Sequence, residues 1–301
     1  NTLIGGLAGD SVTTGQYNVA LGYNSLGLTD VGISNTAIGA FALRDNVDGS
    51  KNTAVGTQAL MEMDPTSAAD TDNTAVGFNC GRAITIGTKN TLMGSLAGDG
   101  ITIGSNNIAL GYNALTFANA GSNSVAIGSK TLQVQQAQFT NATCDTSSGS
   151  TTVTCDANTS IKVGQIVTGT GISSSGTVTV TAVNASSVTS FTISHTAVSS
   201  NTNTTLTFVG GSFGYNTAVG YNAGEDITTS TSNSLFGAFA GTNLTTGGNN
   251  VAVGQNALGT EDTSSRSTAV GMEALKVQNS TLTNAYNTAL GFQAGLAVTE
   301  G

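Results

Sequence analysis

The stretch Asn52-Thr53-Ala54-Val55-Gly56-Thr57-Gln58-Ala59-Leu60 recurs with small changes along the whole of a 301-residue chain. Aligned on its glycine, the copies fall at Gly5, Gly22, Gly39, Gly56, Gly77, Gly94, Gly111, Gly128, Gly220, Gly237, Gly254, Gly271 and Gly291. The spacing is 17 residues except for steps of 21, 92 and 20. Four residues before the glycine stands asparagine, replaced only by Ser124 and Ser267. Three residues after it stands alanine, replaced by Ser25, Cys80 and Thr131, and the next residue is always leucine or glycine. The pattern is N-x-A-Φ-G-x-x-A-[L/G], where Φ is apolar.

One such unit buries three or four mostly small side chains. That is too little to offset a backbone ordering cost of roughly 1–2 kcal/mol per residue. The units must therefore stack, each closing the apolar face of the next. A recurrent interior glycine costs a helix about 1 kcal/mol per copy, whereas short β-branched runs punctuated by Gly, Asn and Ser read as strands and turns. The period predicts a parallel β-solenoid or β-roll, with equivalent positions about 4.8 Å apart in successive coils. In this reading the Ala-Φ pair and the later Ala/Leu face inward. The glycine takes positive φ or allows close backbone approach, and the asparagines form a ladder between coils. Acidic residues between motifs, such as Asp10, Asp30, Asp45, Asp48, Asp99 and Asp226, read as solvated turns, and the loop from Met61 to Thr66 holds the single proline.

Composition agrees with a thin stacked coil. The chain has 40 glycines, one proline, no tryptophan, 38% hydrophobic residues, and 8 basic against 17 acidic side chains, for a net charge of −9. Collagen needs glycine at every third residue with abundant proline, and a membrane-spanning helix needs about 18 consecutive apolar residues; neither is present. With few and scattered Lys and Arg, nucleic acid is not an expected partner, and no membrane insertion is expected.

The copies divide the chain into three parts: residues 1–132 with eight copies, 133–213 with none, and 214–301 with five. In the middle part Val178-Thr179-Val180, Phe191-Thr192-Ile193 and Leu206-Thr207-Phe208 place apolar residues at alternate positions, the mark of half-buried strands. Turn signals stand at Ser147-Ser148-Gly149, Gly169-Thr170-Gly171, Ser173–Gly176 and Asn184-Ala185-Ser186. Five to seven short strands in a small inserted β-sandwich or barrel are expected. Lying between in-phase coils, this insert is expected to protrude sideways.

Asn107-Ile108-Ala109-Leu110-Gly111, Ser124-Val125-Ala126-Ile127-Gly128 and Asn216-Thr217-Ala218-Val219-Gly220 resemble the head repeats of trimeric autotransporter adhesins (YadA-like heads). They resemble more closely the N-T-A-x-G-x-x-A-L arrays of bacteriophage tail fibres, which often precede a self-cleaving chaperone domain. The likeness covers about 220 residues. It implies a left-handed parallel β-roll, a homotrimer, and a structural, host-recognising part of a virion tail fibre outside the cell. The implied partners are other virion tail proteins and a host-surface receptor or glycan. The segment Ile161–Ile172 resembles, more weakly, a module of phage virion proteins. Pooling three thin faces also suits trimerisation on physical grounds. The alternative within this class is an adhesin on a bacterial surface. The rival class is a surface-polysaccharide depolymerase, for which Tyr23, Phe41, Phe78, Tyr112, Tyr221, Phe239 and Phe292 would stack on sugars. Ring packing between subunits is the preferred reading of that row.

A non-enzyme is expected, with no catalytic, cofactor-binding or metal-binding residues. His195 is the single histidine, and Gly128-Ser129-Lys130-Thr131 lacks the glycine a phosphate loop has before its lysine. Glu225-Asp226 and Glu261-Asp262 read as solvated turn acids, and Asp45–Gly49 and Asp70–Asn73 as faint calcium candidates without the full loop pattern. Glycosylation sequons such as Asn141 and Asn243 follow from composition. Cys80 replaces an inward alanine. Cys144 and Cys155 flank a turn and are a candidate disulfide, favoured outside a reducing cytoplasm. Opening on a motif at Asn1 with no leader, the chain is expected to be a piece of a longer polypeptide.

Overall fold

The computed structural model describes residues 1–65, 67, 69–116, 121–133, 139–158, 161, 166–173, 178, 180–183, 188–209, 215–228, 230–261, 263–278 and 284–298. These form only strands, bridges, turns and bends. Two compact units divide the chain, Asn1–Gln135 with Phe213–Gly301, and Gln136–Ser212.

The first unit is a parallel β-solenoid. Its strands are β1 (Thr2–Ile4), β2 (Val19–Leu21), β3 (Thr36–Ile38), β5 (Thr53–Val55), β7 (Thr74–Val76), β8 (Thr91–Met93), β9 (Ile108–Leu110) and β10 (Val125–Ile127) before the insert. After it come β17 (Thr217–Val219), β18 (Ser234–Phe236), β19 (Val251–Val253), β20 (Thr268–Val270) and β21 (Thr288–Leu290). All thirteen pair in this order in one sheet. β4 (Gly49–Ser50) and β6 (Ala69–Asp70) add a short parallel pair at the loop of the fourth coil. The 92-residue step leaves the stack unbroken, because β10 pairs directly with β17, Ala126 opposite Ala218. Coils are numbered 1–13 from their first motif residue, and that residue is position 1.

The sequence reading turns both Ala and Φ inward; the structure turns only the alanine. Ala20, Ala37, Ala54, Ala75, Ala109 and Ala126 are fully buried, whereas the following Met93, Phe236 and Leu290 are 53%, 41% and 77% exposed. Successive side chains of a strand point to opposite faces, so position 3 fills the core and positions 2 and 4 face out. The motif glycine meets both of its expected demands. Gly39 has φ +130°, and a Cβ there would lie 2.6 Å from the Gly56 carbonyl oxygen of the next coil.

In most coils asparagine locks the coil to itself and to its neighbour. The Asn35 amide donates from Nδ2 to the Gly49 carbonyl, 14 residues on in the same coil, at 2.8 Å. Its Oδ1 accepts the backbone N–H of Asn52 at 3.0 Å, and its own N–H donates to Asn18 Oδ1 at 2.8 Å. Direct amide-to-amide bonds are added in places, as from Asn90 to Asn73 and from Asn107 to Asn90. The ladder foreseen from sequence is thus mainly side chain to backbone. It satisfies buried polar groups that would each cost about 1–3 kcal/mol unpaired.

The Leu/Gly choice at position 9 also has a cause. Every leucine there has positive φ, such as Leu43 at 49° and Leu115 at 54°, a conformation costing roughly 1–2 kcal/mol. Complete burial of the leucine, worth about 1.5–3 kcal/mol, offsets it. Where glycine stands instead, the space is filled from position 12, by Ile84, Ile101, Ile227 and Leu244. A Cβ on Gly98 would lie 2.9 Å from Leu92 Cδ1 and 3.0 Å from Ile101 Cδ1.

The second unit is a six-stranded antiparallel sheet: β11 (Phe139–Thr146), β12 (Thr152–Asn158), β13 (Ile166–Gly169), β14 (Val180–Val183), β15 (Val188–Ile193) and β16 (Asn201–Val209). Their order is β13-β16-β11-β12-β15-β14. The Val167 N–H donates to the Val178 carbonyl at 2.8 Å, two residues before β14, so the two edges of the sheet meet. All three alternating pairs read from sequence point into the core: Val178 with Val180, Phe191 with Ile193, and Leu206 with Phe208. Phe191 and Phe208 pack edge to face with centroids 5.3 Å apart. Gly149 and Gly171 take positive φ at their expected turns. Residues 174–176 and 184–186 of the other two turn signals lie outside the described residues, as do 162–165 of the phage-like segment.

Candidate interaction surfaces

Because position 4 faces outward and is apolar in every coil, one face of the solenoid carries a continuous row. It runs Ile4, Leu21, Ile38, Val55, Val76, Met93, Leu110, Ile127, Val219, Phe236, Val253, Val270 and Leu290. In-register parallel pairing stacks each on the next, as in Ile127 on Val219 and Val219 on Phe236. Val19 and Ile108 at position 2 widen the row, and both are more than a third exposed. Isolated exposed apolar residues are ordinary, whereas a contiguous patch marks an interaction surface.

Aromatic side chains are exposed at other positions of the same coils. Tyr23, Phe78, Tyr112, Tyr221 and Phe292 all expose roughly half or more of their surface. Phe41 and Phe239 pack edge to face against Tyr23 and Tyr221, with centroids 5.4 and 5.3 Å apart. The Arg44 guanidinium lies 6.0 Å from the Phe41 ring centre. The sequence reading passed over Tyr17, Tyr215 and Tyr286, which are 74%, 68% and 65% exposed. Each holds positive φ, and each opens a Y-N-x-A-Φ-G-[Y/F] segment that ends on Tyr23, Tyr221 or Phe292. That heptad was the available signal.

The polar candidates do not gather. Asp45 pairs with its neighbour Arg44 at 2.6 Å, and Asp70 with Lys51 at 2.6 Å. Buried Asn46 donates to the Gly49 carbonyl at 2.9 Å. Arg82 bridges Glu62 at 2.6 Å and Asp99 at 3.2 Å; burial raises the Asp99 carboxyl against the lowering effect of Arg82. Glu225 is likewise raised, first by burial and then by Asp226. Glu261 is not the solvated acid expected from sequence. It is fully buried and accepts the backbone N–H groups of Thr263 and Ser264, capping the turn; Asp262 lies outside the described residues. His195 is exposed, its Nδ1 3.0 Å from Ser194 Oγ. Among the described residues no three His, Cys, Asp or Glu side chains come together, and no helix is long and apolar enough to cross a membrane.

Cys80 is buried at position 8, and burial pushes its thiol up to about 12. The Asp145–Thr154 pairing places Cys144 and Cys155 directly opposite each other on β11 and β12. The two thiols interact, with no disulfide between them. Burial pushes Cys144 up to about 12 and also raises Cys155. Beside them an open groove of about 820 Å³ is lined by Asp145, Thr146, Thr154, Asn201, Asn203 and Thr204 among others. Asp145 accepts the Asn203 N–H there at 2.8 Å.

Fold and surface together define a parallel β-solenoid with an outward apolar row and an inserted antiparallel β module. No family model, curated protein or solved structure matches the chain.

Proposed function

We propose that the protein is a structural and host-recognition component of a phage tail fibre. The solenoid is the shaft, three chains pack their outward rows together, and the inserted module contacts a host-surface receptor or glycan. The carrying observation is the row of thirteen apolar residues at position 4, stacked along the whole sheet and left uncovered by the rest of the solenoid. A single chain gains nothing from exposing it. Two further copies would bury it and supply the broad core that an alanine-lined coil lacks. The row also explains the modest hydrophobicity of the chain, since much of its apolar content serves the joint rather than the interior. The resemblance of the motif to tail-fibre and adhesin repeats supports three as the number of copies.

Sedimentation of the full chain tests this reading. A species of three times 29.8 kDa is expected, with Ile127→Asp and Phe236→Asp together reducing it to folded single chains. A parent chain that sediments as a stable monomer at micromolar concentration contradicts the proposal.

A further inference from the structure

The residue immediately before position 1 has positive φ at all twelve junctions between coils, as in Tyr17 at 60° and Tyr286 at 54°. Asparagine and aspartate enter this conformation readily, whereas for a bulky side chain it is an outlier. The leucines of position 9 offset the same strain by burial, but Tyr17, Tyr215 and Tyr286 remain exposed. Tyr286 accepts a bond from Arg266 at 2.8 Å and is still exposed. Strain kept under an exposed ring points to a contact outside the chain.

The identity of this residue is tied to that of position 6, the residue after the motif glycine. Wherever tyrosine stands before the motif, a ring stands at position 6: Tyr17 with Tyr23, Tyr215 with Tyr221, and Tyr286 with Phe292. Where serine stands before it, position 6 is alanine, as in Ser34 with Ala40 and Ser232 with Ala238. A ring at position 6 does not by itself demand a tyrosine, since Phe78 and Tyr112 follow Asp72 and Asn106. Position 6 carries no charged residue in any coil.

The two members of a pair cannot meet within one chain. The Asn18 carbonyl accepts the Thr2 N–H at 2.8 Å and the Gly22 N–H donates to the Ile4 carbonyl at 2.9 Å, so the ladder between coils holds both ends of residues 18–22. That extended run spans about 13 Å, whereas packed rings have centroids about 4.5–7 Å apart. Exposure alternates along it: Asn18 and Ala20 are buried, and Tyr17, Val19, Leu21 and Tyr23 are exposed. The rings therefore flank the outward strand at opposite ends. A ligand lying on one chain would not tie the size of one residue to that of another about 13 Å away. A second copy does, because a head-to-tail contact sets a residue of one chain against a different residue of the next.

We infer that Tyr17 of one chain packs against Tyr23 of the next at the same coil level, with Tyr215 on Tyr221 and Tyr286 on Phe292 in the same way. The inference rests on the self-association proposed above and adds its direction and register. Rotation about the stack axis keeps every coil at its own level, so the chains join head to tail in one rotational sense. A slip of one coil would set Tyr17 and Tyr215 opposite Ala40 and Ala238, or in the other direction opposite Gly6 and Ser129. The ring pairs thereby lock the chains in step.

The test replaces Tyr17 of the full chain with photoreactive benzoylphenylalanine. Irradiation is expected to link chains to one another, with fragment masses placing the new bond beside Tyr23. A bond within one chain, a bond between the two copies of residue 17, or no bond between chains that sediment together overturns the inference and leaves the proposed self-association standing. A chain that sediments as a monomer overturns both. A mutant cycle supplies a second readout. Tyr17→Ala and Tyr23→Ala are each expected to weaken association about tenfold per contact. Together they are expected to weaken it by about the same factor, because either one already breaks the pair. Losses that multiply to about a hundredfold per contact overturn the inference, since separate sites add in free energy.

Discussion

Alanine supplies the inward strand residue in most coils of the solenoid, whereas the inserted module closes around Phe191, Phe208, Leu206 and Ile193. Both units draw on the same Gly-, Thr-, Asn- and Ser-rich composition. The solenoid compensates for small side chains by repetition, with each coil using its neighbour as the other half of its core and its asparagine as a bolt. The module compensates by closure, since its edges meet at Val167 and Val178 and its large side chains converge on one centre. A one-dimensional stack is the weaker solution for a lone chain, and the uncovered row at position 4 belongs to that unit. Damage should therefore stay within the unit that receives it.

The largest separation is expected from Gly56→Val. This site has φ +132° and a Cβ there would meet the Gly77 backbone, 2.6 Å from its carbonyl carbon. Strain and overpacking together cost about 4 kcal/mol or more. Calorimetry should show the solenoid transition falling while the module's stays in place. Oxidation of Cys144 and Cys155 works on the other unit. Removal of two hydrogens by a disulfide donor would close a loop worth about 3 kcal/mol, raising only the module transition. Intact mass that shows no loss of two hydrogens after such treatment would rule the bridge out. Asn107→Ala removes the bond to the Gly121 carbonyl and the acceptor for the Ser124 N–H. A loss of about 2 kcal/mol is expected, again in the solenoid alone.

A smaller effect should follow pH. The Cys80 thiol is held protonated to about 12 by burial, against an ordinary value of 9.0. The unfolded chain gains by ionising first, so this contribution is intact below about pH 9 and is lost as pH rises from there toward 12. Cys80→Ala should flatten the alkaline slope of the solenoid transition in a pH series. The smallest effect is expected from Arg82→Gln, which breaks partly exposed pairs with Glu62 and Asp99 and should cost no more than about 1 kcal/mol.

The period made the coil, the glycine and the asparagine legible because each is dictated by backbone geometry repeated in every copy. The direction of position 4 is not legible from apolar character, which suggests an inward side chain, although strand alternation forbids Ala54 and Val55 from facing the same way. Reciprocity between positions 9 and 12 was visible in pairs such as Leu43 with Asn46 and Gly98 with Ile101. It emerges only once the two positions are known to share one space. In sequence Glu261 reads as a solvated acid because nothing local shows that its turn folds over it. In the module, the alternating pairs gave the core residues, but the strand order was unreadable. Pairing β16 with both β11 and β13 depends on contacts distant in sequence, for which short alternating runs carry no address. Tyr17, Tyr215 and Tyr286 escape the motif for a simpler reason, because they lie just before it rather than within it.

The most direct test of the account is the concentration dependence of melting in the full chain. Anything that binds only the folded state raises its stability by mass action. A solenoid that pools its outward rows between copies should therefore melt at higher temperature as protein concentration rises, while the module transition stays fixed. A solenoid transition independent of concentration over a hundredfold range, with the chain sedimenting as a monomer, would contradict the account.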